Sequence, residues 1–222
     1  MKARIKNLIK TNTTLLRLVA LIHNVFHLSV PSQGNFSGVF LKHVKFKIVG
    51  GKATIFCGEK SRLTNCSFYL HGNNTNIHIE ENCILTNLEL WIEDDNGTIT
   101  IGKNTTIEGG HIAATEGKSI TIGADCMFSS NIQIRNGDSH PILNKDTGLR
   151  INHASSTKIG NRVWLGNGVT VLKGSIIADN CVIGTNSLVT GKCLEENAIY
   201  AGTPARKVKE GIRWERHRNL YQ

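Results

Sequence analysis

Two histidines and an aspartate near the middle of the chain are of residue types that could do chemistry. Asp138 and His140 belong to the segment Asp138-Ser139-His140-Pro141, and His153 follows them. A positioned imidazole can remove a proton from a reacting hydroxyl, which contributes about 10²–10⁴-fold to a rate. A nearby carboxylate could orient that ring or contact the hydroxyls of an acceptor. We therefore take His140 as the candidate general base, Asp138 as its candidate partner, and His153 as a second candidate or an acceptor-binding residue.

The same residue types could instead hold a metal ion. A hydratase-type zinc site needs three histidines that converge on one ion, and His111, His140 and His153 would have to supply them. Their placement is too irregular for this, so we expect no metal requirement. His111 stands at the fifth position of the segment that begins at Ile107, which predicts a corner or a subunit boundary, and there it is a candidate for acceptor binding.

A regular scaffold must position these residues, and the sequence contains one. Six consecutive hexapeptides run from Ile159 to Leu194; each opens with Ile, Leu or Val and has a small residue or valine in fifth place. This period fits neither the helical 3.6 nor plain strand alternation, and fixed short periods indicate a solenoid. Three blocks would form a triangular coil with the aliphatic residues inside, and coils would stack at strand spacing, about 4.7–4.9 Å.

Upstream of these blocks the repeat is looser. The block openers Ile79, Ile101 and Ile122 are 22 and 21 residues apart, slightly more than one coil of three hexapeptides, and corner insertions would absorb the excess. The next opener, Ile159, follows after 37 residues, and residues 136–157 do not divide into hexapeptides. We expect this segment to protrude as a loop, because solenoid insertions often carry the binding function.

The chain is predicted to have three parts. Residues 1–35 would form a helical cap on the open end of the first coil, residues 36–203 the solenoid, and residues 204–222 a C-terminal arm with a short helix. The apolar stretch 15–30 is too short and too polar to span a membrane. With its basic lead-in it could instead rest on the inner membrane leaflet as an amphipathic helix.

Charge and cysteine usage limit the partners and the compartment. Lys and Arg number 26 against 17 Asp and Glu, a formal charge of +9, which favours an anionic membrane face or a phosphate-bearing ligand. The basic residues do not form an aromatic-interleaved nucleic-acid motif, so we expect no nucleic-acid partner. The six cysteines lack CxxC spacing. Four of them fall four residues after a block-opening aliphatic and are interpreted as small buried residues: Cys83, Cys126, Cys181 and Cys193. No signal peptide is evident, which favours the cytoplasm, with peripheral contact at the inner membrane as an addition.

Three segments resemble the left-handed β-helix acyltransferases of the hexapeptide-repeat superfamily, and most closely the branch of galactoside, maltose and capsular polysaccharide O-acetyltransferases. These segments are DSHPI (138–142), the repeat over 159–190, and AGTPARKVK (201–209). The resemblance implies an all-β, left-handed parallel β-helix with a helical N-terminal segment, a protruding loop and a short C-terminal helix. It also implies a homotrimer that transfers acetyl from acetyl-CoA to a hydroxyl of a sugar or surface polysaccharide precursor. The galactoside-type enzymes have a second histidine where this chain has Leu143 and Asn144.

The resemblance further implies a coenzyme channel. Trp164 would line the path of the pantetheine arm, or pack against a neighbouring subunit. Small residues near corners would let a thin ligand approach backbone amides, although a turn needs small residues in any case, and basic residues would meet the phosphates. These candidates are Gly166, Gly184, Thr185, Lys173, Arg206 and Lys207.

Two alternatives remain open at this point. An N-acetyltransferase acting on an amino sugar could use the same histidine. A solenoid that serves only as a scaffold would need neither a loop histidine nor the segment 201–207. Because both are present, catalysis is the favoured interpretation.

Overall fold

The computed structural model describes residues 12, 14–15, 17–20 and 34–217. In this part of the chain 24 strands form three sheets. Apart from the last strand, successive strands visit the sheets in fixed rotation, so that each coil gives one strand to each sheet. All pairings are parallel except the last one. The result is a three-faced solenoid.

Sheet 1 contains β1 (Gly34–Asn35), β4 (Ala53–Cys57), β7 (Thr75–Ile79), β10 (Thr98–Ile101), β13 (Ser119–Ile122), β16 (Thr157–Ile159), β19 (Ile176–Ile177) and β22 (Lys192–Cys193). Sheet 2 contains β2 (Phe40–Lys42), β5 (Arg62–Thr64), β8 (Ile84–Thr86), β11 (Thr106–Ile107), β14 (Met127–Phe128), β17 (Trp164–Leu165), β20 (Val182–Ile183), β23 (Ile199–Gly202) and β24 (Ala205–Lys209). Sheet 3 contains β3 (Lys45–Val49), β6 (Ser67–His71), β9 (Leu88–Glu93), β12 (Gly110–Ala114), β15 (Ile132–Arg135), β18 (Thr170–Val171) and β21 (Leu188–Val189).

The core is a column of aliphatic side chains inside the three sheets. The predicted openers Ile79, Ile101, Ile122 and Ile159 are register partners on successive strands of sheet 1, and none is more than 1% exposed. The predicted repeat is therefore confirmed across the looser part of the chain as well. Alternation along each strand sends every second side chain outward, which is how the sheets carry functional residues.

Coil size changes at the protruding loop. Partners on neighbouring coils are 22 residues apart in the early part of the solenoid, as for Asn65 and Asn87, and 18 apart in the late part, as for Asn161 and Asp179. The intervening step, from Ser119 to Ser156, is 37 residues. The protruding loop accounts for this larger step, because it lies between β15 and β16.

The two ends of the chain differ from each other. Residues 14–15 and 17–20 are helical; Arg17 forms an ion pair with Glu59, and Ala20 is buried. The other N-terminal residues lie outside the described part, so the cap and the membrane-resting alternative both stay predictions. Among the described residues, no helix has the length and apolar character needed to cross a membrane.

The predicted C-terminal helix is wrong for the residues that the structure describes. After a turn at Thr203-Pro204, β24 folds back antiparallel on β23, and residues 210–217 follow without helical structure. The open edge of sheet 2 explains this outcome, because β23 would otherwise leave its backbone groups unpaired.

Candidate functional site

The protruding loop leaves the solenoid at the corner between sheets 3 and 1. It begins after Arg135 at the end of β15 and ends before Thr157 at the start of β16. Inside it, Leu143 and Arg150 form an isolated antiparallel bridge. His140 is exposed in this loop, and among the described residues its ring has no hydrogen-bond partner. The imidazole is therefore open to a substrate.

Asn152 holds the loop together around His140. Its Nδ2 donates to the backbone carbonyl of His140 at 2.8 Å and to Asp138 Oδ2 at 3.0 Å. Its Oδ1 accepts from the amide of Ile142 at 2.7 Å. Asn152 is only 6% exposed, so it fixes the backbone on both sides of His140 while the imidazole stays free. The sequence offered no signal for Asn152, because an isolated loop asparagine belongs to no motif.

Asp138 is bound to Lys173 rather than to the His140 ring. Lys173 Nζ donates to Asp138 Oδ2 at 2.5 Å and to the carbonyl of Asn152 at 3.0 Å. The hydrogen bond from Lys173, followed by that from Asn152, holds the pKa of Asp138 below its usual value. In this structure Asp138 and Lys173 tie the loop to the following coil. Their predicted contacts with acceptor and coenzyme stay predictions.

Glu116 anchors the far side of the same loop. It accepts from Arg150 Nη2 at 2.5 Å and from the amide of Ala154 at 3.1 Å. Burial works against its ionisation, but the Ala154 amide and the Arg150 guanidinium outweigh it and lower the pKa of Glu116. His153 Nδ1 lies 4.0 Å from the same carboxylate, and its side chain is 69% exposed. His153 thus lies at the base of the loop and away from the Asn152 contacts that hold His140.

His111 lies within a strand of sheet 3 and not at a corner; the alternative, a subunit boundary, stays a prediction. It is in β12 and pairs in register with Glu89 and Gln133. The corner prediction failed because the strands in the wide coils are longer than a strict hexapeptide allows. The strand of His111 begins at Gly110, whose φ is +154; a Cβ there would lie 2.1 Å from the Ile132 carbonyl oxygen. The strand therefore extends over the position where a strict hexapeptide would turn.

A cavity of about 230 Å³ adjoins His111 and runs to the start of the loop, where Gly137 and Ser139 line it. Burial lowers the pKa of His111; nearby Glu89 opposes this effect and Arg135 adds to it. Burial therefore favours the neutral form of this imidazole. Within the described part of the chain, its Nε2 is buried without a hydrogen-bond partner.

Trp164 lies in β17 on sheet 2 and is 37% exposed, pointing outward as predicted. The C-terminal segment supports it, since the Trp214 ring lies 6.1 Å from the Trp164 ring. Trp214 is 7% exposed, and its Nε1 donates to the Arg162 carbonyl at 2.7 Å. No motif indicated this contact, because Trp214 belongs to residues 204–222, which were predicted to form an arm with a short helix.

Arg216 fastens the same segment to sheet 2. Its guanidinium donates to Thr106 Oγ1 at 2.6 Å and to the carbonyls of Cys126 and Asp125 at 2.8 and 3.1 Å. Residues 210–217 therefore form a strap that crosses several coils beside Trp164. Only the folded chain brings Arg216 to residues so far away in sequence.

The remaining coenzyme candidates lie on successive strands of sheet 2 or on the turns that follow them. Gly166 follows β17, Gly184 and Thr185 follow β20, and Arg206 and Lys207 are in β24. A Cβ on Gly166 would meet the Thr185 nitrogen at 2.8 Å, so coil stacking alone already requires glycine there.

The two basic residues of β24 differ in their partners. Lys207 Nζ donates to Glu195 at 2.5 Å and to Glu210 at 2.6 Å, and these bonds raise its pKa. Arg206 has no carboxylate partner among the described residues; its Nη1 donates to the Ala205 carbonyl at 3.0 Å. Arg206 is therefore the freer of the two to meet an anion.

Comparison with known proteins identifies the scaffold. Residues 156–191 match the family described as bacterial transferase hexapeptide (six repeats). The chain is 34% identical over 203 residues to the polysialic acid O-acetyltransferase of Neisseria meningitidis, covering 90% of this chain and 91% of that protein. The chain belongs to the hexapeptide-repeat acyltransferases, in their sugar O-acetyltransferase branch.

Solved structures of this acyltransferase family agree. A crystal structure of a polysialic acid O-acetyltransferase superposes with a TM-score of 0.81 at 32% identity, covering 86% of this chain and 92% of that one. The structure of a polysialic acid-specific acetyltransferase gives 0.60 at 26% identity, covering 86% and 93%. The three-faced solenoid is thus the left-handed parallel β-helix of these acyltransferases.

The cysteines of this acyltransferase do not form a nucleophilic site. All six are buried and free, which confirms the burial predicted for four of them, and burial raises the pKa of Cys126 to about 12. A thiol is nucleophilic as its thiolate, so these residues serve the core. Among the described residues, no group of three or more His, Cys, Asp or Glu side chains could hold a metal ion.

The fold separates the candidate residues into two groups. His140, Asp138, Lys173 and His153 belong to the corner between sheets 3 and 1, and His111 lies on sheet 3 beside it. Trp164 and the coenzyme candidates other than Lys173 lie on or directly after sheet 2. In a three-faced prism this corner is opposite sheet 2, so one chain does not bring His140 and Trp164 together.

Proposed function

We propose that this enzyme transfers an acetyl group from acetyl-CoA to a hydroxyl of a sugar in a surface polysaccharide or its precursor, with His140 as general base. The observation that carries the proposal is the state of His140: its backbone is fixed by Asn152, while its imidazole is exposed and has no partner in the described part of the chain. A base must be held in place and yet reachable by the hydroxyl.

The acetyl transfer requires few protein groups besides this base. The acceptor hydroxyl gives its proton to His140 as its oxygen attacks the thioester carbonyl carbon. The carbon–sulfur bond then breaks, and the imidazolium returns the proton to the leaving thiolate. An ester and free coenzyme A result, so atoms and charge balance. Fixing both reactants beside the base supplies the proximity that lowers the barrier.

Sheet 2 fits the coenzyme. Trp164 offers a partly exposed ring beside the small turn residues Gly166 and Gly184, which suits a thin pantetheine arm. The guanidinium of Arg206, without a carboxylate partner among the described residues, suits a phosphate. Lys207 suits it less, since Glu195 and Glu210 already engage it.

The separation of the two groups supports a shared active site in a homotrimer. The protruding loop of one subunit would place His140 beside sheet 2 of its neighbour. The loop is suited to such a contact, because it exposes four large aliphatic side chains at 55–68% of their area: Ile142, Leu143, Leu149 and Ile151. A monomer rarely leaves so many apolar side chains together in water.

The acceptor class follows from the relatives and from charge. One relative is named for polysialic acid. Another, 39% identical over 108 residues, which cover 45% of this chain and 54% of that protein, is a putative lipopolysaccharide biosynthesis O-acetyl transferase of Escherichia coli K12. A formal charge of +9 would draw an anionic polymer towards the enzyme. A cytoplasmic location, with contact at the inner membrane face, stays a prediction.

The test is thiol release from acetyl-CoA, with products identified by mass spectrometry. Polysialic acid, lipopolysaccharide fragments and amino sugars would be offered as acceptors, which also separates O- from N-acetylation. His140→Ala should lower kcat by about 10²–10⁴-fold and leave coenzyme A binding, measured by calorimetry, near wild type.

Two matched variants serve as controls. His78, on the outer face of sheet 1 and stacked on Phe56, should tolerate replacement by alanine without loss of activity. His153→Ala should also retain most activity. An active His140→Ala enzyme together with an inactive His153→Ala enzyme would move the base to His153. Failure of the wild-type protein to bind coenzyme A would favour a scaffold instead.

A further inference from the structure

A row of outward side chains crosses sheet 3, one from each of five coils. Lys47, Tyr69, Trp91, Ala113 and Arg135 are consecutive register partners. The first three stack on one another: Lys47 Nζ lies 5.0 Å from the centre of the Tyr69 ring, and the Tyr69 and Trp91 rings are 3.7 Å apart. The row is interrupted at Ala113, whose side chain is a single methyl group.

This interruption creates a slot. Trp91 and Arg135 stand two strand spacings apart, about 10 Å at the backbone, and only Ala113 lies between them. Tyr69 covers one face of the Trp91 ring, which leaves the other face towards Ala113. The slot is part of the cavity of about 230 Å³ that ends at Ser139, the residue before His140. Pockets for drug-sized ligands start at about 300 Å³, so this one suits a single sugar ring.

The lining groups match such a ring. The guanidinium of Arg135 has no carboxylate partner among the described residues, and its Nη2 lies 3.4 Å from His111 Nδ1. Because His111 Nδ1 faces the Arg135 guanidinium, which is a donor, Nδ1 accepts a hydrogen bond and the ring proton resides on Nε2. Nε2 is buried without a partner in the described part of the chain and lies 3.8 Å from Glu89 Oε2.

The carboxylates complete the lining. Glu89 and Glu93 line opposite sides of the cavity; Glu93 accepts from Trp91 Nε1 at 3.0 Å, which fixes the indole. Carboxylates accept hydrogen bonds from sugar hydroxyls, while the indole face packs against the apolar face of a pyranose. An aromatic surface, hydrogen-bond donors and hydrogen-bond acceptors therefore lie together in the cavity, beside the candidate base His140.

We propose that the slot over Ala113 is the acceptor subsite, which holds one pyranose ring between Trp91 and Arg135 and directs a hydroxyl of the acceptor towards His140 of the same chain. Trp91 packs on the ring, Arg135 donates to its oxygens, and Glu89 accepts from a hydroxyl. The proposal rests on the proposed function. These residues decide which acceptor is used and do not take part in the proton transfer.

The decisive variant is Ala113→Leu, which fills the slot without adding charge. It should raise the KM for the acceptor at least about ten-fold, with the KM for acetyl-CoA unchanged. Thr54→Leu is the matched control, because Thr54 is an exposed outward residue on sheet 1. It should leave both KM values at wild type.

Two further variants keep the proposal testable if Ala113→Leu does not fold. Trp91→Ala and Arg135→Gln should each raise the acceptor KM with little change in the KM for acetyl-CoA, a split that a general loss of structure would not give. Arg62→Gln, which removes an exposed arginine from sheet 2, should change neither value. Folding of each variant would be checked by circular dichroism.

Direct binding separates this proposal from the proposed function. In saturation-transfer NMR with the acceptor oligosaccharide and no acetyl-CoA, wild type and His140→Ala should both show transfer to one sugar ring, and Ala113→Leu should not. Normal acceptor KM and normal transfer in a folded Ala113→Leu enzyme would overturn the subsite and leave the His140 chemistry standing. If saturation transfer to the sugar ring is lost in Ala113→Leu while the His140→Ala enzyme stays active, the subsite is upheld and His140 is rejected as the base.

Discussion

The coils before the protruding loop are wider than the coils after it, and the two regions carry different functional groups. Strands of sheet 3 before the loop, from β3 to β15, have four to six residues, whereas β18 and β21 have two. A longer strand presents more outward positions on the same face. The wide region therefore offers a floor broad enough for a cavity, and the narrow region offers closely spaced turns.

This difference supports the proposal that the two substrates bind in different regions. The slot over Ala113 is lined by outward side chains from three neighbouring positions along the strands. Only the wide coils have strands long enough to provide three such positions. The coenzyme candidates Trp164, Gly166 and Gly184 instead lie on two-residue strands and the tight turns that follow. The protruding loop stands at the junction, which places His140 beside the wide floor of its own chain.

The corners of the wide coils and of the narrow coils are stabilised by the same kind of side-chain hydrogen bond. In the wide coils asparagines at positive φ form ladders at the corners, such as Asn82 Nδ2 donating to Asn104 Oδ1 at 2.8 Å. In the narrow coils Asn180 is likewise at positive φ, and its Oδ1 accepts from Arg162 Nε at 3.2 Å. Asparagine tolerates the left-handed conformation and hydrogen-bonds locally. The regions thus differ in width rather than in construction.

The largest expected effect compares the two cores. Ile112 in the wide region and Ile183 in the narrow region are both 0% exposed. Replacing either with alanine should lower the free energy of unfolding by about 2–5 kcal/mol. We expect the larger loss at Ile112, because the long strands around it resist collapse into the cavity. Urea unfolding followed by circular dichroism measures both.

Thr121→Ala, an outward substitution on sheet 1, is the control and should change the unfolding free energy little. An equal or larger loss at Ile183 would contradict the view that strand length determines how the core relaxes. It would leave the assignment of the substrates untouched.

A smaller effect concerns the loop at the junction. Because bonds from Lys173 and Asn152 depress the pKa of folded Asp138, the pair should stabilise the loop fully above about pH 4, the ordinary aspartate range. That stabilisation should be lost as pH falls through the depressed value. Hydrogen exchange of the Ile142 amide, which donates to Asn152, reports on loop order.

Lys173→Met keeps the length of the side chain and removes its charge. It should lower the protection factor of the Ile142 amide about two- to five-fold at neutral pH, as expected for a partly exposed ion pair. Lys158→Met, an exposed substitution on sheet 1, should have no such effect. Unchanged protection in Lys173→Met would mean that the pair does not order the loop.

The repeat could be predicted from sequence because it is local. Block openers such as Ile101 and Ile122 point inward wherever they occur, and the excess of residues in each coil was visible as spacing. The loop was equally visible, since residues 136–157 broke the period. His140 stood out through the resemblance of its segment to a known family.

What failed or was missed depends on contacts distant in sequence. The C-terminal charge run gave no sign that β24 would pair with an open sheet edge, or that Trp214 and Arg216 would strap the solenoid. Asn152 matters only because its amide reaches Asp138 and the His140 carbonyl. His111 was predicted at a corner because a strict six-residue period was assumed where the coils are wider.

The central claim is that each active site combines His140 of one subunit with the sheet 2 channel of its neighbour, and subunit mixing tests it most directly. His140→Ala and Trp164→Ala subunits, each weakly active alone at low acetyl-CoA, would be co-expressed and assayed as mixed oligomers. A shared site in a random trimer predicts recovery to on the order of a quarter of wild-type activity. Mixed oligomers that are no more active than the separate variants would contradict the account.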